Sequence, residues 1–277
     1  MSSSTKVGVY VDLENFKRSG GFGMQYDVLR KFACREGAET VRLNAYAGFD
    51  KRRANIDPLY EKKTRSFFSI IRDFGFKVIE KEVKWYRDED GKEYAKANAD
   101  LDMAVDALLQ SENLDRVLMA TGDGDFVQVI RALQNKGCRV EVVAFNNVSS
   151  ALRQEADMFI SGFLIPNLLP PIKPAKEEIS WGNIGSRVRG TCYHYNHGKS
   201  FGYMRFLKDN GPLWITDHRD VDSPYKTAYF HNSMVLDNID YSLLPSRNYL
   251  FEFKLAQSSV HEGEYQAEDI NLICRLS

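Results

Sequence analysis

The stretch Val7-Gly-Val-Tyr-Val-Asp-Leu-Glu-Asn15 decides how the chain is read. It is a short apolar run of β-formers that stops at an acid, Asp12, and is followed at once by Glu14, Asn15 and a turn carrying Gly20, Gly21 and Gly23. A run this short and this continuously apolar predicts a strand buried on both faces, the habit of parallel sheets in α/β domains. Ligands of such sheets collect outside the carboxyl ends of the strands, which puts Asp12 where chemistry takes place. A lone strand-end Asp ordinarily caps a loop or the next helix, so its reading depends on which other acids reach the same rim.

Beyond this strand, helices and strands alternate. Helical spacing covers Tyr26 to Arg35, Thr40 to Ala47 is a second strand, and Asn55 to Phe74 is a long amphipathic helix with Pro58 in its first turn and Gly75 closing it. Lys77 to Lys81 is a third strand. A polar connection through Arg87-Asp-Glu-Asp-Gly91 then leads to a helix from Asp100 to Gln110, with Leu101, Ala104, Val105 and Leu108 as its apolar face. A strand at Arg116 to Ala120, a helix at Phe126 to Lys136, a strand at Arg139 to Phe145, a short helix at Ser149 to Ala156 and Met158-Phe-Ile160 complete the series. This alternation predicts an α/β fold, a parallel sheet flanked by helices.

The composition then shifts. Pro166, Pro170, Pro171 and Pro174, with Lys173, Lys176, Glu177 and Glu178, form a charged proline-rich linker, and beyond Trp181 short strands recur without a long helix, as in a small all-β barrel. The predicted domains are 1–165, a linker at 166–180, and 181–277.

With 43% hydrophobic and 27% charged residues the chain is globular, and its net charge of -1 confines any nucleic-acid binding to local patches. Four scattered cysteines argue for a reducing compartment and against a Cys-based zinc site. The N-terminus lacks a signal-peptide pattern and no stretch has the length of a membrane span, so the expected location is cytoplasmic, with no membrane partner. All five histidines lie in the last third, and chemistry in the first two thirds therefore falls to carboxylates.

Those carboxylates come in three sets. Asp12 is the first; Asp123 and Asp125 in Thr121-Gly-Asp-Gly-Asp-Phe126 follow an apolar strand, with two glycines that let the backbone bend around whatever the acids hold. The third is Asp100, Asp102 and Asp106, of which Asp100 stands at a helix start as an N-cap would, while Asp102 and Asp106 share a face by their spacing and could form a solvated surface. Two carboxylates about 4 Å apart repel by roughly 4 kcal/mol at an effective dielectric near 20. A cluster of this kind is kept by a bound cation or by protons, and oxygen-only ligands suit Mg²⁺ or Mn²⁺. Such ions support attack of water on a phosphodiester. Arg52 and Arg53, with Lys51, follow the second strand, and Lys84, Arg87 and Lys96 precede the acidic helix; these could meet phosphates or simply face water.

The opening Val-Asp-x-x-Asn at Val11 to Asn15, the Lys-x-x-x-Asp with a downstream Asp at Lys96, Asp100 and Asp106, and Thr121 to Phe126 resemble the three signatures of the NYN domain, the LabA-like branch of the PIN-like nucleases. The resemblance covers about Lys6 to Phe163. It implies a metal-dependent ribonuclease with Asp12, Asp100, Asp123 and Asp125 holding Mg²⁺ or Mn²⁺ and Asn15 positioning Asp12 or a phosphate. Ala97 stands where members often carry Gly, and Asp102 where a small or apolar residue is usual.

In the C-terminal part, aromatics alternate with small or polar residues in Gly190 to Asn196, Lys199 to Met204 and Ala228 to His231. Period two places Phe201 with Tyr203, and Tyr229 with His231, on one face each, as a platform for unpaired bases or as core. The order of the three segments resembles a cold-shock domain, an OB-fold, over about Trp181 to Leu276. That resemblance implies that Tyr195, Phe201, Tyr203, Tyr229 and His231 stack bases and Lys199 meets phosphate. His194 stands where Trp is usual, and Trp214 to Lys226 is longer than the usual connection.

The reading that joins both halves is a metal-dependent endoribonuclease acting on single-stranded RNA, with DNA and a homo-oligomer left open. The alternative is a non-catalytic RNA-binding regulatory protein. A phosphatase of the haloacid dehalogenase type also starts from a strand-end Asp, but needs a second Asp two residues on, where this chain has Glu14.

Overall fold

The computed structural model describes residues 4–88, 90–173, 179–258 and 263–276. They fall into two compact units: one holds residues up to Phe22, Leu29–Ala144 and Val148–Ile160, the other Gly23–Val28, Phe145–Asn147 and the chain from Ser161 on. The middle of the proline-rich linker, Pro174 to Glu178, lies outside the described residues, as do Glu89 and His261.

The first unit is built on a six-stranded sheet. Its strands are β1 (Lys6–Asp12), β2 (Glu39–Phe49), β3 (Lys77–Glu82), β6 (Arg116–Ala120), β7 (Arg139–Ala144) and β8 (Met158–Ser161), in the order β3-β2-β1-β6-β7-β8. Between β3 and β6 two further strands, β4 (Lys84–Arg87) and β5 (Glu93–Lys96), pair only with each other. The pairings β1–β2, β2–β3, β1–β6 and β6–β7 are parallel. Val7, Val9 and Val11 of β1 and all of Arg116–Ala120 are buried, as their continuous apolar character predicts. The chain builds outward from β1 through β2 and β3, then returns to the other side of β1 for β6, β7 and β8. The switch between those directions falls between β1 and β6, where the register sets Val11 opposite Ala120.

The helices are α1 (Leu13–Ser19), α2 (Tyr26–Ala33), α3 (Lys51–Ile56), α4 (Pro58–Asp73), α5 (Ala99–Gln110), α6 (Val127–Asn135) and α7 (Ser150–Glu155). Three expectations are corrected here. The helix expected over Asn55 to Phe74 is two helices, because Pro58 forces Asp57 out of the helical region, to φ -129 and ψ 86, and Asp57 then caps α4 by accepting from the Tyr60 N–H at 3.0 Å. The expected apolar face of α5 holds in part: Ala104 and Leu108 pack against the core, but Leu101 and Val105 are 61% and 44% exposed, while Ala99, Met103 and Ala107 are buried in one cluster with Tyr10, Tyr46 and Met119. Alanines at both ends of this buried row let the helix lie close to the sheet. The connection before α5 is a hairpin of β4 and β5.

At the opposite end of the sheet, Glu141 is 1% exposed and accepts two bonds of 2.6 Å from Arg35 Nη2, with Arg116 and Arg139 within 3.9 and 3.1 Å. Arg35 and Arg116 are buried as well.

The second unit contains a closed barrel of β9 (Arg187–Asn196), β10 (Phe201–Leu207), β11 (Tyr225–His231), β12 (Ser246–Gln257) and β13 (Tyr265–Arg275), in the order β10-β11-β13-β12-β9. Val188, Met204, Phe206, Phe230, Phe251 and Phe253 fill it. A Cβ on Gly202 would collide with the His194 carbonyl oxygen, so only glycine lets β10 cross β9 here. Glu252, 1% exposed, accepts from Arg187 Nε at 3.0 Å, from Arg189 Nε at 3.1 Å and from the N–H of Ile172 at 3.0 Å, while Arg189 donates to the Pro170 carbonyl at 2.5 Å. Among the described residues, no helix is long and apolar enough to cross a membrane.

Glu141→Gln keeps the shape of the buried cluster but removes its buried counter-charge, leaving only the part-exposed Glu36 carboxylate, 3.6 Å from Arg116 and 4.0 Å from Arg35. The expected loss is about 3–5 kcal/mol, read as a lower urea midpoint with an unchanged slope.

Candidate functional site

Asp12 ends β1 at its carboxyl terminus and caps α1, its Oδ1 accepting from the Asn15 N–H at 2.9 Å. Its Oδ2 accepts from the hydroxyl of Thr121 at 3.3 Å, the first residue past β6. Thr121 is fully buried and also accepts from the Asp123 N–H at 3.2 Å. The Asn15 side-chain oxygen accepts from the Gly122 N–H at 3.0 Å. Two cross-links thus tie the end of β1 and the first turn of α1 to the loop after β6. Asp123 turns back to accept from the Asp125 N–H at 3.0 Å, leaving Asp125 exposed at the tip. A Cβ on Gly124 would stand 2.7 Å from the hydroxyl of Ser149, whose own N–H donates to the Gly122 carbonyl at 3.0 Å. The glycine between the two acids is therefore where the loop presses on the cap of α7.

Asp100 is the second residue of α5 and exposed; the N-cap position belongs to Asn98, which corrects the expectation of an Asp100 cap. The other two acids of this helix are engaged elsewhere. Asp102 lies 2.9 Å from Lys81 Nζ, and Asp106 accepts from the Tyr46 hydroxyl at 2.8 Å. They are thus neither one shared patch nor a solvated face.

Burial pushes the Asp12 carboxyl up to about 6, against the Asn15 N–H, which lowers it; the charges of Asp100 and Asp123 raise it further and the Thr121 hydroxyl lowers it. Asp12, Asp100 and Asp123 therefore act on one another, and no cation pairs with Asp12 among the described residues. Among those residues no group of three or more His, Cys, Asp or Glu side chains is arranged as a ready-made metal cage. The donor set, oxygen-only, open to water on the Asp100 and Asp125 side and carrying a buried carboxylate without a counter-charge, fits a Mg²⁺ or Mn²⁺ held by carboxylates that leave part of its shell to water. It does not fit a closed cage.

Of the basic candidates, Arg52 lies 3.2 Å from Glu93 and over the Trp85 ring, and Arg53 lies 3.6 Å from Asp57 and over the Tyr60 ring. Both are engaged within the chain. Lys96 ends β5 opposite Lys84, and its side chain lies outside what the structure describes.

On the barrel, the register sets Phe201 opposite His231 and Tyr203 opposite Tyr229, so these four side chains share one outer face. Phe201 and Tyr229 have ring centroids 5.7 Å apart, and Tyr203 and Tyr229 5.9 Å. Lys199 is exposed in the turn before β10. Tyr195 is a correction: it is buried in the barrel core, stacked between Phe230 and Tyr241, with its hydroxyl donating to Asn232 at 2.9 Å. A bulge opposite Tyr203 and Met204 shifts the alternation, so that Tyr193 and His194 both face out. Beside them a cavity of about 600 Å³ is lined by Tyr193, His194, Tyr203, Tyr229, His218 and Arg219, among others. The last two lie in the long connection between β10 and β11, which Arg205 pins by donating to the Thr216 carbonyl at 2.8 Å. The sequence carried no periodic signal for His218 or Arg219; Thr121 and Ser149 stood in and beside the acidic motif without an assigned role.

A parallel α/β sheet whose switch point gathers carboxylates from three chain segments defines the class of the first unit. The chain belongs to the NYN domain family, whose model matches residues 6–169. That family is part of the PIN-like nuclease superfamily. The chain is similar to the low amplitude and bright protein LabA of Synechococcus elongatus, 28% identical over 163 residues, which are 56% of this chain and 83% of LabA. It is also similar to a solved protein of unknown function from Vibrio parahaemolyticus, 28% identical, with a TM-score of 0.47, covering 58% of this chain and 96% of that one.

The raised Asp12 value has a sign. Because its folded value lies above the unfolded value near 3.9, the folded state binds the proton more tightly, and stability falls as pH rises from about 4 to 6. Asp12→Asn, whose Oδ1 can still accept from the Asn15 N–H while its amide NH₂ must donate toward Thr121 where Asp12 accepts, is expected to be more stable than wild type by about 1–3 kcal/mol at pH 8 in chelator, and equal to it near pH 4. Urea titrations at the two pH values check this; Mg²⁺ should stabilise the wild type and leave the variant unchanged.

Proposed function

We propose that this chain is a divalent-cation-dependent ribonuclease that hydrolyses phosphodiester bonds within single-stranded RNA. The observation that carries the reading is the joining of Asp12 to the Thr121–Asp125 loop at the switch point of the sheet, through Thr121 and Asn15. Asp12, Asp100 and Asp123 would hold Mg²⁺ or Mn²⁺, with Asp125 at the exposed edge of the same loop. When bound, the cation supplies Lewis acidity and neutralises charge developing on the phosphodiester. Asn15 and Thr121 hold the two loops in register, so that Asp12 and Asp123 keep one spacing while substrate comes and goes. Asp125, open to water, is placed to accept a proton at its carboxylate from an attacking water.

In this reading 1–165 is the nuclease domain, 166–180 a connector, and 181–277 a cold-shock-like OB-fold that captures the strand. Five strands closed in the order first, second, third, fifth, fourth support the OB-fold assignment. Phe201, Tyr203, Tyr229 and His231 supply stacking surfaces, joined by His194, with Lys199 near the backbone phosphates. A second reading, an RNA-binding regulator without catalysis, is favoured by the aromatic face of Phe201, Tyr203 and Tyr229, which would bind an unpaired strand without any metal.

End-labelled RNA and DNA of one sequence, incubated with Mn²⁺, Mg²⁺ or chelator, separate these readings. The ribonuclease reading expects internal cuts in RNA that require metal and fall at least a hundredfold in Asp123→Asn. Binding without cleavage in every metal would leave the regulator. Replacing Phe201 and Tyr229 by Leu is expected to weaken RNA binding by about tenfold or more, as loss of one or two stacked bases at about 1–3 kcal/mol each dictates, measured by anisotropy in chelator.

A further inference from the structure

The hairpin of β4 and β5 joins the rim end of β3 to the start of α5, the helix that carries Asp100. Its roots are fixed to β2. The Val83 N–H donates to the Phe49 carbonyl at 3.0 Å, and a Cβ on Gly48 would come within 3.1 Å of Ala97 and 3.3 Å of Val83. The register pairs Trp85 with Ala95, Tyr86 with Tyr94 and Arg87 with Glu93, so alternate residues occupy opposite faces.

The two faces differ. On one, Trp85 Nε1 donates to Asp50 at 3.4 Å, Arg52 lies 5.2 Å from the Trp85 ring centroid, and Glu93 pairs with both Arg52 and Arg87. This face is bound to α3 and its cap. On the other, Tyr86 and Tyr94 lie with ring centroids 5.6 Å apart and planes inclined by 24°, 43% and 48% exposed. Lys84, two residues from Tyr86 on that same face and at the root of the hairpin, is exposed and has no carboxylate partner among the described residues.

A cross-strand aromatic pair contributes only modestly to its own hairpin, and the Trp85 face already anchors this one. What the Tyr86–Tyr94 pair leaves open is a π surface on a fixed support, with an unneutralised ammonium between it and the carboxylate rim. Planar rings beside a cation suit an unpaired base and its phosphate, and a duplex hides its base faces in the stack. We propose that Tyr86, Tyr94 and Lys84 form a stacking platform for a nucleotide of single-stranded RNA, placed in the catalytic unit itself and separate from the barrel. What the platform feeds rests on the ribonuclease reading; that it binds an unpaired strand does not.

The test uses the full chain in chelator with an oligoribonucleotide carrying 5-iodouridine, irradiated and mapped by mass spectrometry, with the same sequence as a duplex for comparison. Adducts on Tyr86 or Tyr94 with the single strand, absent with the duplex, support the platform. The double variant Tyr86→Leu/Tyr94→Leu, which keeps apolar bulk, should lose those adducts while keeping the barrel adducts, and should cleave the single strand about tenfold more slowly at low substrate. Lys84→Ala, which leaves the pair intact, should raise KM several-fold and flatten its salt dependence. Wild-type cleavage with no hairpin adduct and no effect of the variants overturns the platform and leaves the nuclease reading standing. Hairpin adducts in a protein that cleaves nothing support the platform and remove the nuclease reading.

Discussion

The parallel pairing of β1 with β6 is the constraint on which the first unit depends. These strands are far apart in sequence, and their register, Val11 beside Ala120, brings the residues that follow each of them onto one edge. Asp12 and Thr121 can then share a hydrogen bond, and Asn15 can reach Gly122. Both strands are buried on both faces, so a slip in register would turn valines and methionines against their neighbours and break the acidic edge together. Stability and the spacing of the carboxylates are set by the same contacts.

Charge is distributed unevenly around this sheet. At one end, Glu141 neutralises arginines that are as buried as it is. At the other, Asp12 is buried without such a partner and is pushed toward its neutral form by burial and by its acidic neighbours. Burial has a cost at both ends, since it also holds Arg116 below the usual arginine range, but a buried acid without a cationic partner among the described residues stands at one place only. That place is the crevice where doubly wound sheets receive ligands.

The strands of this sheet were legible because both-face burial writes an uninterrupted apolar run, and the meeting of Asp12 with the Thr121 loop was legible because each ends such a run. The apolar face of α5 was legible only in part. Counting large residues selects Leu101 and Val105 beside Ala104 and Leu108, whereas close approach to the sheet selects Ala99, Met103 and Ala107. The β4–β5 hairpin escaped because charged residues at every second or third position read as a loop. Tyr195, a base-stacking candidate through the cold-shock resemblance alone, is turned by a local feature that a family pattern does not carry: the bulge in β9 adds one residue that sends Tyr195 inward and Tyr193 and His194 outward. His218 and Arg219 sit in an irregular connection whose path is set by tertiary hydrogen bonds, which no local pattern encodes.

Glu252 and Arg189 grip the chain well ahead of the first barrel strand, at Pro170 and Ile172. The barrel's fold is thus completed by a segment that its strand count leaves out. A fragment begun at Trp181 would keep every strand and lose the N–H and carbonyl groups that satisfy two buried, oppositely charged side chains. A C-terminal piece that keeps these bonds therefore begins ahead of Leu169.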